Sequence, residues 1–350
     1  MTTRKLVTLR TISAITPIED ADFIEQITID GWTLVAQKGI HSVGDTVLYF
    51  EIDAFLPASD ERFQSFMPFG ISTFNEATGH RVKTKRLRGV YSQGVIIPIS
   101  EFPEIGEPEF DVDYSELVGV VKWEKLDAEG NSTQKGNFPD FIPKTDQERI
   151  QNLYHRYTDE QRENEYVGTL KMDGSSITAY VRQDKILGTP IFGFCSRNQE
   201  LAFSPEGTPL GERGKFEQGI INSGILGKLH NAFINGMEIA IQGELVGPGI
   251  QGNFEKHDKY EVYAFNIFHI TSQNYLTYKM FQELTKLLEL KTVPEVYPAT
   301  KILGKSLDEI LEMADGESPF AKYREGIVWK EVNGSSQFKA ISNRYLSKEK

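Results

Sequence analysis

Short runs of apolar and β-branched residues, separated by turn-forming residues, occupy the first hundred positions of the chain. These runs predict strands at residues 6–15, 32–36, 46–52, 81–87 and 94–99. Gly44 and Asp45 give a turn signal before the third run, and Pro57 closes it. Five strands in about 100 residues favour a small β-barrel, whereas an immunoglobulin-like sandwich would need more strands.

The pattern changes after residue 100, where the chain becomes acidic and rich in turn formers. We place a linker at residues 106–137, between a first domain at 1–105 and a second at 138–350. In the second domain, Thr145 or Asp146 can cap a short helix whose apolar residues lie three or four positions apart, namely Ile150, Leu153 and Tyr154.

Strands alternate with helices over the last 200 residues. Helices are predicted near 215–231, 278–290 and 306–315. The middle helix carries an apolar face that is typical of core packing, formed by Met280, Phe281, Leu284, Leu287 and Leu288. The mixture predicts an α+β fold class.

Composition supports a folded protein in a reducing compartment. The 350 residues are 39% hydrophobic and include one cysteine, Cys195, which excludes an intramolecular disulfide bond. The polar residues that soon follow the N-terminus argue against a signal peptide, and no apolar run is long enough to span a membrane. We therefore expect a cytoplasmic or nuclear protein without a membrane partner.

The net charge of −12 argues at first against nucleic-acid binding. However, residues 101–165 alone carry 17 Asp and Glu against 7 Lys and Arg, so the remainder of the chain is nearly neutral. Alternation along the run at 81–87 would place Arg81, Lys83 and Lys85 on one strand face. Such a face on a barrel of the OB type can follow a phosphate backbone, and a solvated edge strand is the alternative.

One lysine lies at a bend between two predicted strands, in the sequence Lys-Met-Asp-Gly-Ser that begins at Lys171. A lysine amine is protonated at neutral pH, and only burial or a nearby cation frees its lone pair for nucleophilic attack. Gly174 allows a ligand to approach the backbone closely. A hairpin turn with solvated Lys171 and Asp173 is the alternative, so the rest of the chain has to decide between the two.

Five further short stretches follow Lys171 in a fixed order. They lie at residues 195–198, 241–247, 262–267, 324–330 and 336–340. This series resembles the nucleotidyltransferase motifs of polynucleotide ligases and mRNA capping enzymes. The leading barrel, with its basic run at 83–88 and the Phe-Ile-Pro-Lys-Thr-Asp stretch at 141–146, resembles the ATP-dependent RNA ligases of the Deinococcus and Naegleria type, in which an OB domain precedes the catalytic domain.

The resemblance implies an OB-type β-barrel followed by a mixed α/β nucleotidyltransferase domain, and a role for each motif residue. Lys171 would attack the α-phosphorus of ATP and form lysyl-AMP. Glu325 and Asp173 would hold Mg²⁺ or Mn²⁺. The ATP and AMP pocket would be formed by Leu170, Arg197, Glu244, Phe265, Lys330 and Lys339. The RNA would be bound by Lys83, Lys85, Arg86 and Arg88.

Within the pocket, the resemblance assigns Glu244 to the ribose, Phe265 to stacking on adenine, and Arg197 to the ribose or the incoming RNA end. Lys330 and Lys339 would pair with the α-phosphate. Taken singly, Phe265 could be a core aromatic residue, and both lysines could be surface charges.

Two positions depart from the motifs of many ligases. Gln337, Phe338 and Lys339 contain one lysine where many ligases have Lys-x-Lys, and Asn266 stands where an acidic residue is common.

Two other patterns carry no site. The glycines at 247, 249 and 252 match a dinucleotide-binding fingerprint, but a polar segment follows where that fingerprint requires a helix. The six histidines show no zinc-ligand spacing.

The sequence therefore predicts an ATP-dependent RNA ligase that seals 3′-OH and 5′-phosphate RNA ends, with nicked duplex RNA as its partner. A DNA ligase or mRNA guanylyltransferase of the same superfamily is the first alternative. A non-catalytic nucleic-acid-binding protein of the OB type is the second.

Overall fold

The structure, a computed structural model, describes residues 4–124 and 133–347 of the chain. The chain forms two compact units. The N-terminal unit contains residues 4–124 together with 149–157 and 343–347, and the C-terminal unit contains 133–148 and 158–342. Residues 125–132 of the predicted linker lie outside the described residues. No helix in the described ranges is long and apolar enough to cross a membrane.

The N-terminal unit consists mainly of antiparallel strands. They are β1 Val7–Pro17, β2 Ile24–Ile29, β3 Trp32–Gln37, β4 Thr46–Phe50, β5 Ala54–Pro57, β6 Ser72–Phe74, β7 Ala77–Arg81, β8 Lys85–Leu87, β9 Val90–Ser92, β10 Val95–Pro98 and β11 Val121–Lys122. A five-stranded sheet has the order β10-β4-β1-β2-β3, a four-stranded sheet has the order β11-β5-β7-β6, and β8 and β9 form a hairpin.

Strand β4 shows why the apolar run at 46–52 has no polar alternation. Leu48 and Phe50 contribute to one apolar cluster, whereas Val47 and Tyr49 contribute to another on the opposite face. Both faces of the strand are therefore buried. Three of the other predicted strands appear close to their expected positions, as β1, β3 and β10, whereas β2, β5, β6, β9 and β11 lie outside the predicted ranges.

The prediction of one continuous strand over residues 81–87 is wrong. Strand β7 ends at Arg81, and β8 begins at Lys85. The Arg81 guanidinium is 2.7 Å from Asp53 Oδ1 and stacks on the Trp123 ring at 3.6 Å. Arg81 therefore does not share an alternating strand face with Lys83 and Lys85.

Part of the predicted linker packs on the N-terminal unit. The Tyr114 amide donates to the Val7 carbonyl at 2.8 Å, and Tyr114, Val118 and Val120 are buried in the same cluster as Leu48 and Phe50. The predicted domain boundaries at 105 and 137 remain predictions.

The short helix predicted after Asp146 forms, but its predicted caps are wrong. Helix α1 spans Ile150–Leu153 and begins after Arg149, without a side-chain cap. Thr145 instead hydrogen-bonds the Ser176 hydroxyl at 2.7 Å, and Asp146 pairs with Arg197 at 2.6 Å. Both candidate caps are thus engaged in the C-terminal unit. A last helix in the N-terminal unit spans Asn343–Ser347.

The C-terminal unit contains two antiparallel sheets and five helices among the described residues. Its strands are β12 Gln134–Asn137, β13 Tyr166–Lys171, β14 Ser175–Gln183, β15 Pro190–Cys195, β16 Gln199–Leu201, β17 Ile239–Val246, β18 Glu261–His269, β19 Asn274–Tyr275, β20 Glu295–Thr300, β21 Gly326–Glu331 and β22 Gln337–Ile341. Its helices are α2 Asp159–Arg162, α3 Lys215–Asn222, α4 Ile225–Ile234, α5 Tyr278–Leu287 and α6 Leu307–Glu312. The sheet orders are β12-β16-β15-β14-β17-β18-β19 and β20-β13-β21-β22.

The helix predicted at 215–231 is two helices, because Gly224 adopts φ 62° between α3 and α4. Helices α3, α4 and α5 contribute to the main apolar cluster with β14, β17 and β18. Phe281 on α5 and Leu288, the residue after it, are buried in this cluster, but Met280 and Leu287 are 51% and 74% exposed. The predicted apolar face of α5 is therefore only partly used for packing.

Candidate functional site

Lys171 is the last residue of β13, and the turn after it leads directly into β14. Its Nζ lies 2.6 Å from Glu325 Oε1, and its side chain is 27% exposed. Strand pairing explains this contact, because Lys171 is opposite Gly326, the residue after Glu325. A Cβ at Gly326 would lie 2.3 Å from the Ala340 carbonyl oxygen, so the close approach of β22 requires glycine there.

Carboxylates control the protonation of this lysine. Burial lowers the pKa of Lys171, but the charges of Glu325, Glu244 and Asp173 outweigh burial, and the net pKa is raised. The polypeptide alone therefore keeps the amine protonated. A nucleophilic role requires a cation that offsets these carboxylates.

Three glutamates near Lys171, namely Glu244, Glu255 and Glu325, are themselves difficult to ionise. Burial raises the pKa of Glu244 to about 8 despite the opposing charge of Lys171, and burial also raises the pKa of Glu325. Burial and the charges of Glu325 and Asp173 raise the pKa of Glu255 to about 8. Four carboxyl groups thus lie within electrostatic range of one amine, which suits a bound cation.

Direct coordination by many protein ligands does not fit these groups. Across the described ranges, no group of three or more His, Cys, Asp or Glu side chains is arranged to hold a metal ion. The donor set fits a hydrated Mg²⁺ or Mn²⁺ that keeps most of its waters and uses one or two carboxylates.

A positively charged sheet face continues from Lys171. Across β13, β21 and β22, one row of opposite residues consists of Thr169, Val328 and Lys339. Two residues further along β13, the next row on the same face consists of Val167, Lys330 and Gln337. Because alternate residues of a strand point to the same face, Lys171, Lys339 and Lys330 share one face of the sheet. The structure thus brings together the three lysines predicted from the sequence.

Lys330 is buried, at 5% exposed, so it is not a surface charge. Its Nζ donates to Asn266 Oδ1 at 3.0 Å and to the Phe265 carbonyl, and lies over the Phe265 and Phe281 rings. Burial lowers the pKa of Lys330 to about 7. Asn266, which departs from the usual acidic residue, serves here as a neutral acceptor for this lysine.

The depressed pKa of Lys330 predicts a pH-dependent stability effect. The unfolded lysine holds its proton up to about pH 10.4, so the native state gains stability relative to the unfolded state as the pH rises above 7. The free energy of unfolding of the wild type should therefore rise, relative to that of Lys330→Met, by about 1.4 kcal/mol per pH unit between pH 7 and 10. Urea unfolding at several pH values measures this difference.

The exposed Lys322→Met variant provides the control for that experiment and should show no such slope. A stability difference between Lys330→Met and the wild type that stays constant across this pH range would contradict the prediction.

Leu170 and Phe265 form an apolar wall near the lysines. Leu170 is 1% exposed and belongs to a cluster with Met172, Tyr263 and Val293, against which Phe265 packs. Phe265 occupies the irregular position of β18 between Ala264 and Asn266, where the pairing with β17 shifts. Phe265 is only partly buried, so this residue packs against the cluster while part of its ring stays accessible.

Arg197 lies in the turn between β15 and β16. Its guanidinium pairs with Asp146 at 2.6 Å, and its charge lowers the pKa of Glu244, although burial and neighbouring carboxylates raise that pKa more strongly. Arg197 is therefore within electrostatic range of the site.

A buried guanidinium holds the segment that precedes Glu325. Arg324 is 5% exposed and donates to the carbonyl oxygens of Ala314, Met313 and Asp315, at 3.1, 2.7 and 2.6 Å, and to the Tyr297 hydroxyl at 2.8 Å. These bonds connect the start of β21 to the loop after α6.

Sequence reasoning missed two parts of the site. Glu255 is 4% exposed and lies 3.2 Å from His257 Nε2, in the polar segment that follows the glycines at 247–252. Thr178 and Gln242, which were not predicted from the sequence, form a row with Asn266 across β14, β17 and β18. Gln242 and Glu244, two residues apart in the motif at 241–247, were the available signal for this row.

The rejection of a dinucleotide-binding site at the glycines agrees with the structure. In the described residues between β17 and β18, the chain forms turns and no helix.

The four predicted RNA-binding residues lie in the N-terminal unit, at and before the β8–β9 hairpin. Lys85 Nζ donates to the Phe69 carbonyl at 2.9 Å and lies 4.9 Å from the Phe69 ring centre. Arg86 lies 5.3 Å from the Tyr91 ring centre, and Arg88 has φ 47° at the hairpin turn. The structure thus places cations beside aromatic rings on this hairpin.

Models of known protein families match one stretch in the N-terminal part of the chain and one in the C-terminal part. Residues 6–99 match an OB-fold domain model, and residues 164–345 match an RNA ligase model. A comparison with curated protein sequences found no match.

Solved structures of Naegleria gruberi RNA ligase are similar along the entire length. An apo alanine mutant is 37% identical, with a TM-score of 0.88 over 100% of this chain and 99% of that chain. An alanine mutant with ATP and Mn and a structure with PPi each give 37% identity and a TM-score of 0.88 over 99% of both chains.

These matches confirm the predicted fold class, an OB-fold domain followed by an RNA ligase domain of mixed helix and strand content. They favour neither a DNA ligase, nor a guanylyltransferase, nor a non-catalytic binding module. The chain belongs to the RNA ligase family.

Proposed function

We propose that the protein is an ATP-dependent RNA ligase that joins 3′-OH and 5′-phosphate RNA ends through a lysyl-AMP intermediate. The observation that carries the proposal is the position of Lys171, paired with Glu325 at 2.6 Å on the same sheet face as Lys339 and Lys330. Structures of the Naegleria gruberi ligase with ATP and Mn, with AMP and Mn, and with PPi support ATP as the substrate and a divalent metal ion as the cofactor.

Lys171 acts as the nucleophile in the first reaction. Its neutral amine attacks the α-phosphorus of ATP, a P–N bond forms, the bond to the β-phosphate oxygen breaks, and pyrophosphate leaves while the amine loses a proton. The AMP then passes to the RNA 5′-phosphate, and attack by the 3′-hydroxyl releases AMP and joins the strands.

The other residues bind and orient the nucleotide. Lys339 and the protonated form of Lys330 neutralise the α-phosphate as point charges. Phe265 stacks on adenine beside Leu170, and Glu244 accepts a hydrogen bond from the ribose. Arg197 contacts the ribose or the RNA end. Since each reaction is an in-line phosphoryl transfer, positioning and charge neutralisation are the main contributions of the protein.

Glu325 and Asp173 would hold the Mg²⁺ or Mn²⁺ ion through its waters. When bound, the ion supplies positive charge that neutralises the phosphates and lowers the pKa of the neighbouring amine. The pKa of Glu325, which burial and the charge of Asp173 raise, supports this assignment.

A labelling experiment tests the proposal. The full chain is incubated with Mg²⁺ and either α-labelled ATP or α-labelled GTP, and we expect a labelled protein band on a denaturing gel with ATP. No adduct with either nucleotide would refute the proposed chemistry. Joining assays with nicked duplexes that carry RNA or DNA at the reacting ends then test the choice of RNA.

We also propose that Lys83, just before β8, and Lys85, Arg86 and Arg88 of the β8–β9 hairpin bind the RNA backbone. Replacing all four with alanine should weaken RNA binding at low salt. It should also reduce the slope of log K against log salt by up to about three, because fewer phosphate contacts release fewer counterions on binding. Binding titrations at several salt concentrations measure both effects.

Lys38→Ala changes an exposed cation elsewhere in the N-terminal unit and serves as the control. If the quadruple variant ligated nicked substrate as well as the wild type, the hairpin would not be part of the RNA-binding surface.

A further inference from the structure

The N-terminal unit contains an open cavity of about 240 Å³ between β1, the α1 region and residues 110–111. Arg10, Asp30, Phe110, Gln151 and Arg156 are among the residues that line it. Pockets for drug-sized ligands usually measure about 300–1,000 Å³, so this cavity suits one ring system with its polar substituents.

Gln151 gives the cavity an unsatisfied polar group. The side chain is 1% exposed, and within the described residues its Oε1 has no hydrogen-bond partner. A buried amide oxygen without a partner is unfavourable. Since the amide can turn about its terminal bond, it can present either its oxygen or its NH₂ group to a ligand.

Two arginines at the cavity retain unused donors. Arg10 donates to Asp30 at 2.6 Å and to the Thr8 hydroxyl at 3.0 Å, and Arg156 pairs with Asp111. A guanidinium has five N–H donors, so each arginine keeps donors available beyond these bonds. The Arg10–Asp30 pair offers a donor and an acceptor side by side, which complements the polar edge of a nucleobase.

Phe110 adds an exposed aromatic surface. It is 59% exposed, so its ring is accessible to a ligand. Proteins recognise unpaired RNA by stacking bases on aromatic rings, hydrogen-bonding their edges and contacting phosphates with arginine. All three kinds of group line this cavity.

We propose that the cavity binds one unpaired nucleotide of the RNA substrate. The base lies against Phe110, its polar edge faces Gln151 and the Arg10–Asp30 pair, and its phosphate contacts Arg156. This inference rests on the proposed function only in taking RNA as the ligand, and it adds a second RNA contact, separate from the β8–β9 hairpin.

The test uses the full-length double variant Phe110→Ala/Arg156→Gln, since both side chains are substantially exposed. A labelled single-stranded RNA oligonucleotide is titrated against the protein, and lysyl-AMP formation is measured separately. We expect about tenfold weaker RNA binding, the size of one lost stacking contact, with unchanged lysyl-AMP formation. Phe23→Ala removes an exposed phenylalanine that does not line the cavity and should leave RNA binding unchanged.

Unchanged RNA affinity in the double variant, or an equal loss in Phe23→Ala, would overturn the inference. Absence of lysyl-AMP in the wild-type protein would refute the proposed function instead, because the RNA titration does not depend on that reaction. A second measurement uses the wild-type protein and therefore does not depend on the folding of a variant. RNA that contains 4-thiouridine should cross-link to residues 110 or 155–156. Cross-links confined to other regions would also overturn the inference.

Discussion

Replacing Lys171 with methionine is expected to abolish transfer of label from α-labelled ATP to the protein, with a loss of at least about 1,000-fold. Methionine retains much of the side-chain length but has no amine, so no P–N bond can form. Denaturing gel electrophoresis after incubation with labelled ATP measures the effect. Lys185→Met, at an exposed position between β14 and β15, is the matched control and should be labelled normally.

The same variant distinguishes the steps of the pathway. RNA that already carries AMP on its 5′ end bypasses the lysine, so Lys171→Met should still join such RNA in the absence of ATP. Equal loss of both activities would show that the substitution damages the site as a whole, and that the nucleophile assignment lacks support.

Glu325→Gln is expected to slow lysyl-AMP formation by about 100-fold and to raise the Mg²⁺ concentration needed for half-maximal rate. The two roles of the carboxylate predict opposite results. Glu325 raises the pKa of Lys171, so its neutralisation alone would free more of the amine and speed the reaction. If Glu325 also holds the ion, its loss removes the charge that the reaction requires, and the rate falls.

Initial rates at a fixed pH across a Mg²⁺ titration separate these roles. Glu163→Gln changes an exposed carboxylate that pairs with Lys301, and should follow the wild-type curve. A faster reaction in Glu325→Gln at every Mg²⁺ concentration would contradict a role in metal binding.

The order of the motifs was sufficient to predict the family, and strand alternation was sufficient for part of the site. Lys330 and Lys339 lie two residues apart in sheet register, so the pairing of β13, β21 and β22 places both on the sheet face that carries Lys171. Once the strands are known, the sequence positions of the two lysines are enough to predict that they share a sheet face. The burial of Lys330 did not follow from its sequence context, because burial depends on Phe265 and Phe281 from other elements.

Local rules failed where distant residues compete for the same side chain. Thr145 and Asp146 are good capping residues, yet Ser176 and Arg197 engage them, and α1 begins later. Alternation predicted that Arg81 shares a strand face with Lys83 and Lys85, but Arg81 lies at the end of β7, where it contacts Asp53 and Trp123. Glu255 was missed because nothing in a polar loop segment distinguishes a buried carboxylate from a solvated one.

The anchoring of Arg324 has a consequence for how this sequence can vary. A loop between a helix and a strand ordinarily tolerates insertions, since its backbone is exposed and its conformation is free to change. Here the carbonyl oxygens of Met313, Ala314 and Asp315 bind the guanidinium next to Glu325. Length changes at 313–315 would therefore shift a carboxylate of the site without altering any residue of it, so this loop should be among the least variable in length.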